Sequence, residues 1–397
     1  MQKKKKFKGF FPKETDKLLV IVPILMFIFG TFMILSAEMG SSVGDVSVVS
    51  SVLIRQSIFG LVGLFLMWYC ATQIRLPNLR MNFTWAGYWI LLGILLACRL
   101  FPSVNGAYAW LRFGSFTIQP AEAAKVYIMI LAAKFLGRNN GQFNLRNFGY
   151  YWACVGGYAF VIFVIQHDLG SSVVLLGIAF VMALIPPYKE LYVWQRRMLM
   201  FLMIGIILVA IALSPIGTAL FTKFEGNYMV GRFLAAANPF AYQYDTGYHV
   251  IMGMVSFATG GWFGLGYGQS IHKYMNFPNP STDFILPVIV EELGVIIGLL
   301  PILVGYIILF FKLIRYSLVC SEITSKMIFL GTFTYLAMHF ILNIGGVTGL
   351  IPLTGVPLLL ISSGGSSLVI TFMAIGICEG EIIKYKKDKN ENSSREV

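Results

Sequence analysis

Charge is scarce in this chain, and acid is scarcer than base. Its 397 residues hold 18 Asp and Glu, 30 Lys and Arg and four His, so charged side chains make up 12% of the sequence against 57% hydrophobic ones. With a mean hydropathy of +0.75 the chain carries more apolar surface than a water-soluble core buries, and a bilayer is the solvent that fits. The five cysteines (Cys70, Cys98, Cys154, Cys320, Cys378) form no CxxC pair and have no histidines at ligand spacing, which argues against a zinc ribbon or a dithiol redox centre and leaves core packing. No basic stripe accompanies the net charge of +12, because the Lys and Arg residues fall in short runs between apolar segments; nucleic acid is not the partner this implies. Nor is there an internal repeat or inverted symmetry of the kind that marks many secondary transporters.

What is abundant is apolar sequence. Runs long enough to cross the hydrocarbon core as helices fall at 17–37, 53–73, 83–101, 120–136, 148–166, 169–186, 198–215, 286–311, 326–345 and 367–383. The fold class expected is therefore an all-α integral membrane protein of about ten spans, with both termini on one side. Placing that side in the cytoplasm puts 23 of the 30 Lys and Arg there, in the run from Lys3 to Lys17 that includes the basic N-terminus 1–16, in the alternate short loops and in the tail 384–397. The positive-inside rule then sets the orientation. The first apolar segment is too long, and lacks a small-residue cleavage site, for a secretory signal. The lysine-rich tail reads as a disordered cytoplasmic end. Residues 17–383 form one polytopic domain whose long connection, 216–285, lies outside between the seventh and eighth spans. Its stretches Phe233 to Phe240 and His249 to Phe263 are apolar or amphipathic, so parts of it are expected in the interface or dipping back toward the bilayer.

Ionisable groups at the lipid edge cost several kcal/mol, roughly 2.5–3.5 by insertion scales, unless paired or wet. In this chain they gather on the outer side. Glu122 and Lys125 share a helix face at the start of the fourth span and serve either as a structural ion pair or as a substrate contact. Gln119 and Pro120 before them suit a helix start. Asp168, in the short link between the fifth and sixth spans, either caps the sixth helix or joins a site. Asp283 lies just ahead of the eighth span, where it complements a helix dipole or acts as a base; the dipole lowers its pKa and a neighbouring pyrophosphate raises it. Glu291 and Glu292 lie deeper and call for a cation, a proton or water. Lys273, Arg232 and Arg112 are the candidate partners. The glycine-rich run Gly260 to Gly268 offers backbone donors to a phosphate or, more simply, a turn for a re-entrant segment. Ser362 to Ser367 leads into the last span, where small residues permit close packing and hydroxyls such as that of Ser366 cap or contact a polar head group. Asn343, before two glycines, is an expected interhelical hydrogen-bonder.

The order of these segments resembles the FtsW/RodA/SpoVE (SEDS) family of cell-wall glycosyltransferases from end to end, most closely its division-type FtsW branch. The resemblance rests on Gly106-Ala107 through Gln119-Pro120-Ala121-Glu122 with Lys125, on Gln166-x-Asp168-Leu169-Gly170, and on Gly260-Gly261 through Thr282-Asp283-Phe284-Ile285 to Glu291-Glu292-Leu293-Gly294. It closes with Asn343-Ile344-Gly345, Gly349-Leu350-x-Pro352, Thr354-Gly355-x-Pro357 and Gly364-Gly365-Ser366-Ser367. Departures are Ala109 before Trp110 in place of the family's Arg, His167 within Gln166-His167-Asp168, His249 in the outer loop, and Pro287. The resemblance implies a peptidoglycan glycosyltransferase that polymerises lipid II, the undecaprenyl-pyrophosphate disaccharide-pentapeptide, with Asp283 as general base. Gln119, Glu122, Lys125, Arg112, Asp168, Lys273, Glu291, Glu292 and Ser366 are the expected substrate contacts. It implies no organic cofactor, and either the cations named or a divalent Mg2+ or Mn2+ to balance the pyrophosphate. It further implies a class B penicillin-binding protein and divisome regulators as partners, membrane lipid around the chain, and a bacterial plasma membrane enriched at the septum. A RodA-like elongation polymerase, a lipid II flippase and a silent divisome scaffold are the rival readings. A flippase predicts charges near the midplane and on both sides; a scaffold predicts that Asp283 is freely replaceable.

Overall fold

The computed structural model describes residues 11–41, 46–74, 80–104, 106–114, 116–137, 144–222, 228–244, 247–275 and 279–395. The basic residues before position 11, Lys223, and parts of the expected cytoplasmic loops 74–82 and 134–147 lie outside them. The fold is all-α apart from one short hairpin. In order come α1 (Lys17–Ser41), α2 (Val46–Gln73), α3 (Met81–Ala97), β1 (Leu111–Phe113), β2 (Phe116–Ile118), α4 (Pro120–Phe135), α5 (Leu145–Phe160), α6 (Leu169–Leu184) and α7 (Tyr192–Leu213). The outer connection holds α8 (Pro215–Phe221), α9 (Tyr228–Ala237) and α10 (Tyr248–Gly260), and α11 (Ile285–Leu293), α12 (Leu300–Val319), α13 (Ile323–Val347) and α14 (Gly365–Arg395) complete the chain.

Among the described residues, eight helical segments are long and apolar enough to cross a membrane. The other two expected spans, α4 and α6, have 16 residues each, about 24 Å of rise, and are the inner helices of the bundle. Thirteen of the 16 residues of α4 are buried. A helix walled by protein need not match the lipid thickness, since its neighbours satisfy the apolar environment. At the opposite extreme, α7 has no buried residue and presents its apolar surface outward, as a lipid-facing helix does.

The segment before α1 meets the last helix, on the one side where an even number of spans places both. Glu379 of α14 accepts from the Asp16 backbone N–H at 3.0 Å, and Asp16 accepts from Lys312 Nζ and Tyr316 Oη of α12 at 2.8 Å each. Burial raises the Asp16 pKa, but the bonds from Lys312, Tyr316 and the Leu18 amide outweigh it and hold the carboxyl below its usual value. The tail is not the disordered end that its composition suggests. Helix α14 continues to Arg395, secured by Lys384 on Glu322 and by Lys386 donating to Thr15 O at 3.1 Å.

The eighth span departs from a continuous helix. It breaks at Gly294, whose φ of 69° closes α11, and resumes through a wide turn into α12. The glycine-rich run supplies the backbone partners this break frees. Leu265 N–H donates to Glu291 O at 2.9 Å and Gly266 N–H to Glu292 O at 2.8 Å, while Val295 and Ile296 donate to Gly261 O and Trp262 O. Such close approach needs glycine: at Gly264, φ 76°, a Cβ would lie 2.2 Å from Glu292 O. Preceding this turn, α10 lays Gly253, Ser256 and Gly260, one buried face, toward the bundle; Gly260 abuts the backbone at Val290 of α11. The apolar stretch from His249 thus dips back onto the membrane helices as its pattern predicts.

Side chains complete the stitch. Both acids of α11 are fully buried. Glu292 accepts from Lys273 Nζ at 2.7 Å, from Gly268 N–H at 3.0 Å and from Ser36 Oγ of α1, which bridges both of its oxygens at 2.7 and 2.8 Å. Glu291 accepts from Ser270 Oγ at 2.6 Å, the Ile271 amide at 3.1 Å and His272 Nδ1 at 2.7 Å. Of the three cations considered from sequence, Lys273 is the one that answers this acid pair.

Two stability outcomes follow from this geometry. Gly264→Ala is expected to cost about 2–4 kcal/mol from positive-φ strain plus overlap with α11, whereas Gly93→Ala, with open space around its Cβ, is neutral or slightly stabilising; thermal unfolding in detergent compares them. Lys273→Met leaves a buried anion unpaired and should cost about 3–5 kcal/mol, most of it recovered in the Lys273→Met, Glu292→Gln double variant. Additive losses in that cycle would contradict the pairing.

Candidate active site

The outer end of the bundle brings together segments far apart in sequence around Asp283. The turn leading to α11 is formed by Asn279, which adopts φ 48° and accepts from the Thr282 amide at 3.1 Å. It is anchored by Ser281, whose hydroxyl donates to Glu38 of α1 at 2.6 Å and whose carbonyl accepts from the Ser363 amide at 2.8 Å. Asn343 of α13 then takes the backbone carbonyl of Asp283 at 2.9 Å and, with the same amide nitrogen, that of Val356 at 2.9 Å. This is the interhelical role expected of Asn343. The residue that begins α11 as its cap is Phe284, and no side chain caps the helix. The Asp283 carboxylate is therefore left for other work.

Gly355 faces that carboxylate at φ 70°, where a Cβ would meet Asp283 Oδ2 at contact distance, 3.4 Å. Asp283 is half-buried. Burial raises its pKa, Arg232 of α9 lowers it and Asp168 raises it, with a net value of about 6. Removal from water is the largest of these effects. Arg232 itself donates to Leu353 O at 2.9 Å, so it grips the same segment that walls Asp283.

Asp168 caps α6, the first of its two expected roles, and its carboxylate also reaches Gln119. One oxygen caps α6 through the Ser171 amide at 2.9 Å, and the other accepts from Gln119 Nε2 at 2.8 Å. Gln119 also donates through its backbone N–H to Ser366 Oγ of α14 at 3.1 Å. Gln119, Asp168, Ser366 and Asp283 are all half-buried, facing the outer end without being sealed from it. Pro120 occupies the first turn of α4, where its missing donor costs nothing.

The remaining expected contacts separate from this group. Glu122 and Lys125 pair at 2.7 Å inside the bundle, each 1% exposed. Tyr335 Oη donates to the second Glu122 oxygen at 2.9 Å. Lys273, Glu291 and Glu292 form the buried stitch described above. Arg112 is exposed on β1, opposite Thr117 in the hairpin register. Lys125 and Lys273, both considered as cations for a pyrophosphate, are thus engaged by buried carboxylates, while Arg232 is the cation that shares the surroundings of Asp283. Arg232 stood out in the sequence only as a possible partner for Glu291 and Glu292, not for Asp283, because its spatial neighbours are remote in sequence. Among the described residues, no three His, Cys, Asp or Glu side chains gather as a metal cage.

A family model described as a cell cycle protein, FtsW/RodA/SpoVE, matches residues 16–387. Stage V sporulation protein E of Bacillus subtilis is 32% identical over 375 residues, covering 91% of this chain and 95% of that protein. A probable peptidoglycan glycosyltransferase FtsW of Coxiella burnetii is 29% identical over 374 residues, with 91% and 94% covered. Among solved structures, a chain of a peptidoglycan synthase complex in which polymerization and crosslinking are coordinated superposes with a TM-score of 0.66 at 23% identity, covering 93% of this chain and 98% of that one. The rod shape determining protein RodA of Thermus thermophilus does so with a TM-score of 0.60 at 21% identity, covering 93% and 96%. A buried acid pair stitched to a glycine-rich outer loop, an aspartate at the outer mouth and a match over nearly the whole length lead to one assignment: this all-α, multi-pass membrane chain belongs to the FtsW/RodA/SpoVE family.

Proposed function

We propose that this chain is a peptidoglycan glycosyltransferase that polymerises lipid II at the outer membrane face, with Asp283 as general base. The observation that carries the reading is a half-buried carboxylate at the outer mouth whose pKa is raised to about 6, near enough to neutrality to take a proton and still be ionised at working pH. The acceptor's GlcNAc 4-hydroxyl gives its proton to Asp283 as its oxygen attacks the anomeric carbon of the donor's MurNAc. The bond from that carbon to the pyrophosphate breaks, undecaprenyl pyrophosphate leaves, and the anomeric configuration inverts. Arg232 supplies positive charge beside the reacting groups, and the Gln119–Asp168 pair offers a fixed polar edge for sugar hydroxyls. A site at this level lets the polyprenyl tail remain in lipid while the sugars react outside.

The FtsW names among its relatives and the family's description as a cell cycle protein support a division-type role at the septum. The likeness to a synthase complex supports a class B penicillin-binding protein as the crosslinking partner. Carboxylates are not confined to the outer side as expected from the sequence: Asp16, Glu379 and Glu381 are buried at the inner end, each hydrogen-bonded within the bundle, which removes one argument against a flippase, while no observation favours a silent scaffold. The buried pair Glu122–Lys125 is internally neutralised and answered by Tyr335, which suits a structural element as well as a transport path.

The test is strand formation from lipid II by the full chain, alone and with its partner, with and without Mg2+ or Mn2+. Asp283→Asn should lower the rate about 10²–10⁴-fold, the usual contribution of a positioned base, while remaining folded and partner-binding. In the wild type kcat/KM should rise with pH through about 6 and then level, because protonation below that value removes the base. Equal polymerisation by Asp283→Asn would remove this residue from the chemistry.

A further inference from the structure

Through one side chain, His339, the sealed ion pair of α4 is tied to the segment that walls Asp283. Its ring is fully buried on α13. Nδ1 lies 3.1 Å from Pro357 O, which only accepts, so Nδ1 carries the proton and Nε2 is left as an acceptor. That acceptor is 3.3 Å from Lys125 Nζ, and Lys125 in turn donates to Glu122. Tyr335, one turn earlier on α13, reaches both Glu122 and Thr371 of α14. One cluster therefore locks α4, α13 and α14 together, and His339 is its outlet toward the outer surface.

The segment it reaches is held at successive points. Arg232 takes the carbonyl of Leu353, Asn343 that of Val356 and His339 that of Pro357. His339 and Asn343 stand four residues apart on α13, on one face of the helix. Between the held carbonyls lies Gly355, against the Asp283 carboxylate, and Thr354 O packs on Gly170 at the start of α6. A carbonyl claimed by a side chain of α13 is not free to turn toward the carboxylate, where it would set a second negative end against it.

We propose that His339 is a positioning residue for glycosyl transfer: by joining the Glu122–Lys125 pair to Pro357 it holds residues 353–357 against Asp283 and limits the water that reaches the carboxylate. This rests on the reading of Asp283 as the base. It also gives the sealed ion pair a role in the reaction at one remove, without contact to substrate.

The experiment compares His339→Gln, whose amide keeps one donor and one acceptor, with His339→Leu and His339→Met, which keep bulk and lose both. Full-length proteins are examined for hydrogen exchange over residues 353–362 without substrate, and for lipid II polymerisation with its pH profile. In the apolar variants exchange should quicken by about tenfold or more, and kcat should fall by about tenfold with KM changed less than about twofold. The acidic limb should move to lower pH, since better hydration favours the ionised carboxylate while Arg232 and Asp168, the charged groups facing it from α9 and from the α5–α6 link, are unchanged. His339→Gln should restore all three. Wild-type exchange, kcat and acidic limb in the apolar variants would overturn the proposal. So would a glutamine variant as impaired as they are, which would assign the effect to ring packing, or apolar variants that fail to fold beside a wild-type glutamine variant, which would assign it to stability alone. Asp283→Asn separates the two readings: if it polymerises like wild type the base assignment fails and the exchange data alone decide the pinning, whereas an inactive Asp283→Asn beside an unaffected His339→Leu sinks only this inference.

Discussion

Two adjacent carboxylates, Glu291 and Glu292, stand fully buried in a predominantly apolar bundle, and every oxygen they carry must be answered by a donor. Lys273, Ser270, His272 and the amides of Gly268 and Ile271 answer them from the outer connection, and Ser36 answers from α1. Because unpaired anions at that depth are so costly, the connection has little freedom to leave. The break at Gly294 acts in the same direction, since the backbone groups it frees find their partners in the glycine-rich run. A long loop that composition alone would leave mobile is thereby fixed to the membrane helices. The turn that presents Asp283 lies between this stitch and α11.

The consequence is a division of labour among polar groups. Those sealed in the bundle, Glu122 with Lys125 and Glu292 with Lys273, are charge-balanced and set the relative positions of helices. Those at the outer end, Gln119, Asp168, Asp283 and Ser366, are half-buried and only partly satisfied by one another. Asp283 gains its raised pKa from this setting. Burial deprives the carboxylate of water, Asp168 adds a like charge, and Arg232 opposes both without cancelling them. A general base needs that balance, ionised near neutral pH yet basic enough to accept a proton.

Much of this was legible in the sequence where the physics is local. Apolar runs marked the spans, Pro120 and Asp168 marked the starts of α4 and α6, and the pattern after His249 marked a segment that returns to the bundle. Asp283 stood out as a carboxylate at the lipid edge. What stayed hidden depends on contacts between distant residues. A glycine inside an apolar run reads as packing, so the break at Gly294 shows only once Leu265 and Gly266 are seen to pair with α11. Lys273 was one of three possible partners for the acid pair, and only folding chose among them. A lone histidine in a span has the periodicity of core, which is why His339 gave no signal before Lys125 and Pro357 came to either side of it. The tail was misread because its composition is polar, whereas its helix is continued by bonds to Glu322 and Thr15.

Everything proposed for Asp283 depends on the fold holding its carboxyl at a pKa near neutrality. Infrared difference spectra of the wild type minus Asp283→Asn, recorded over a pH series in lipid, read that single group without turnover. A protonated carboxyl band that disappears with a midpoint of about 6 is the expected result. A midpoint at or below the ordinary aspartate value of about 3.9 would show that the site does not tune this residue, and would contradict the account.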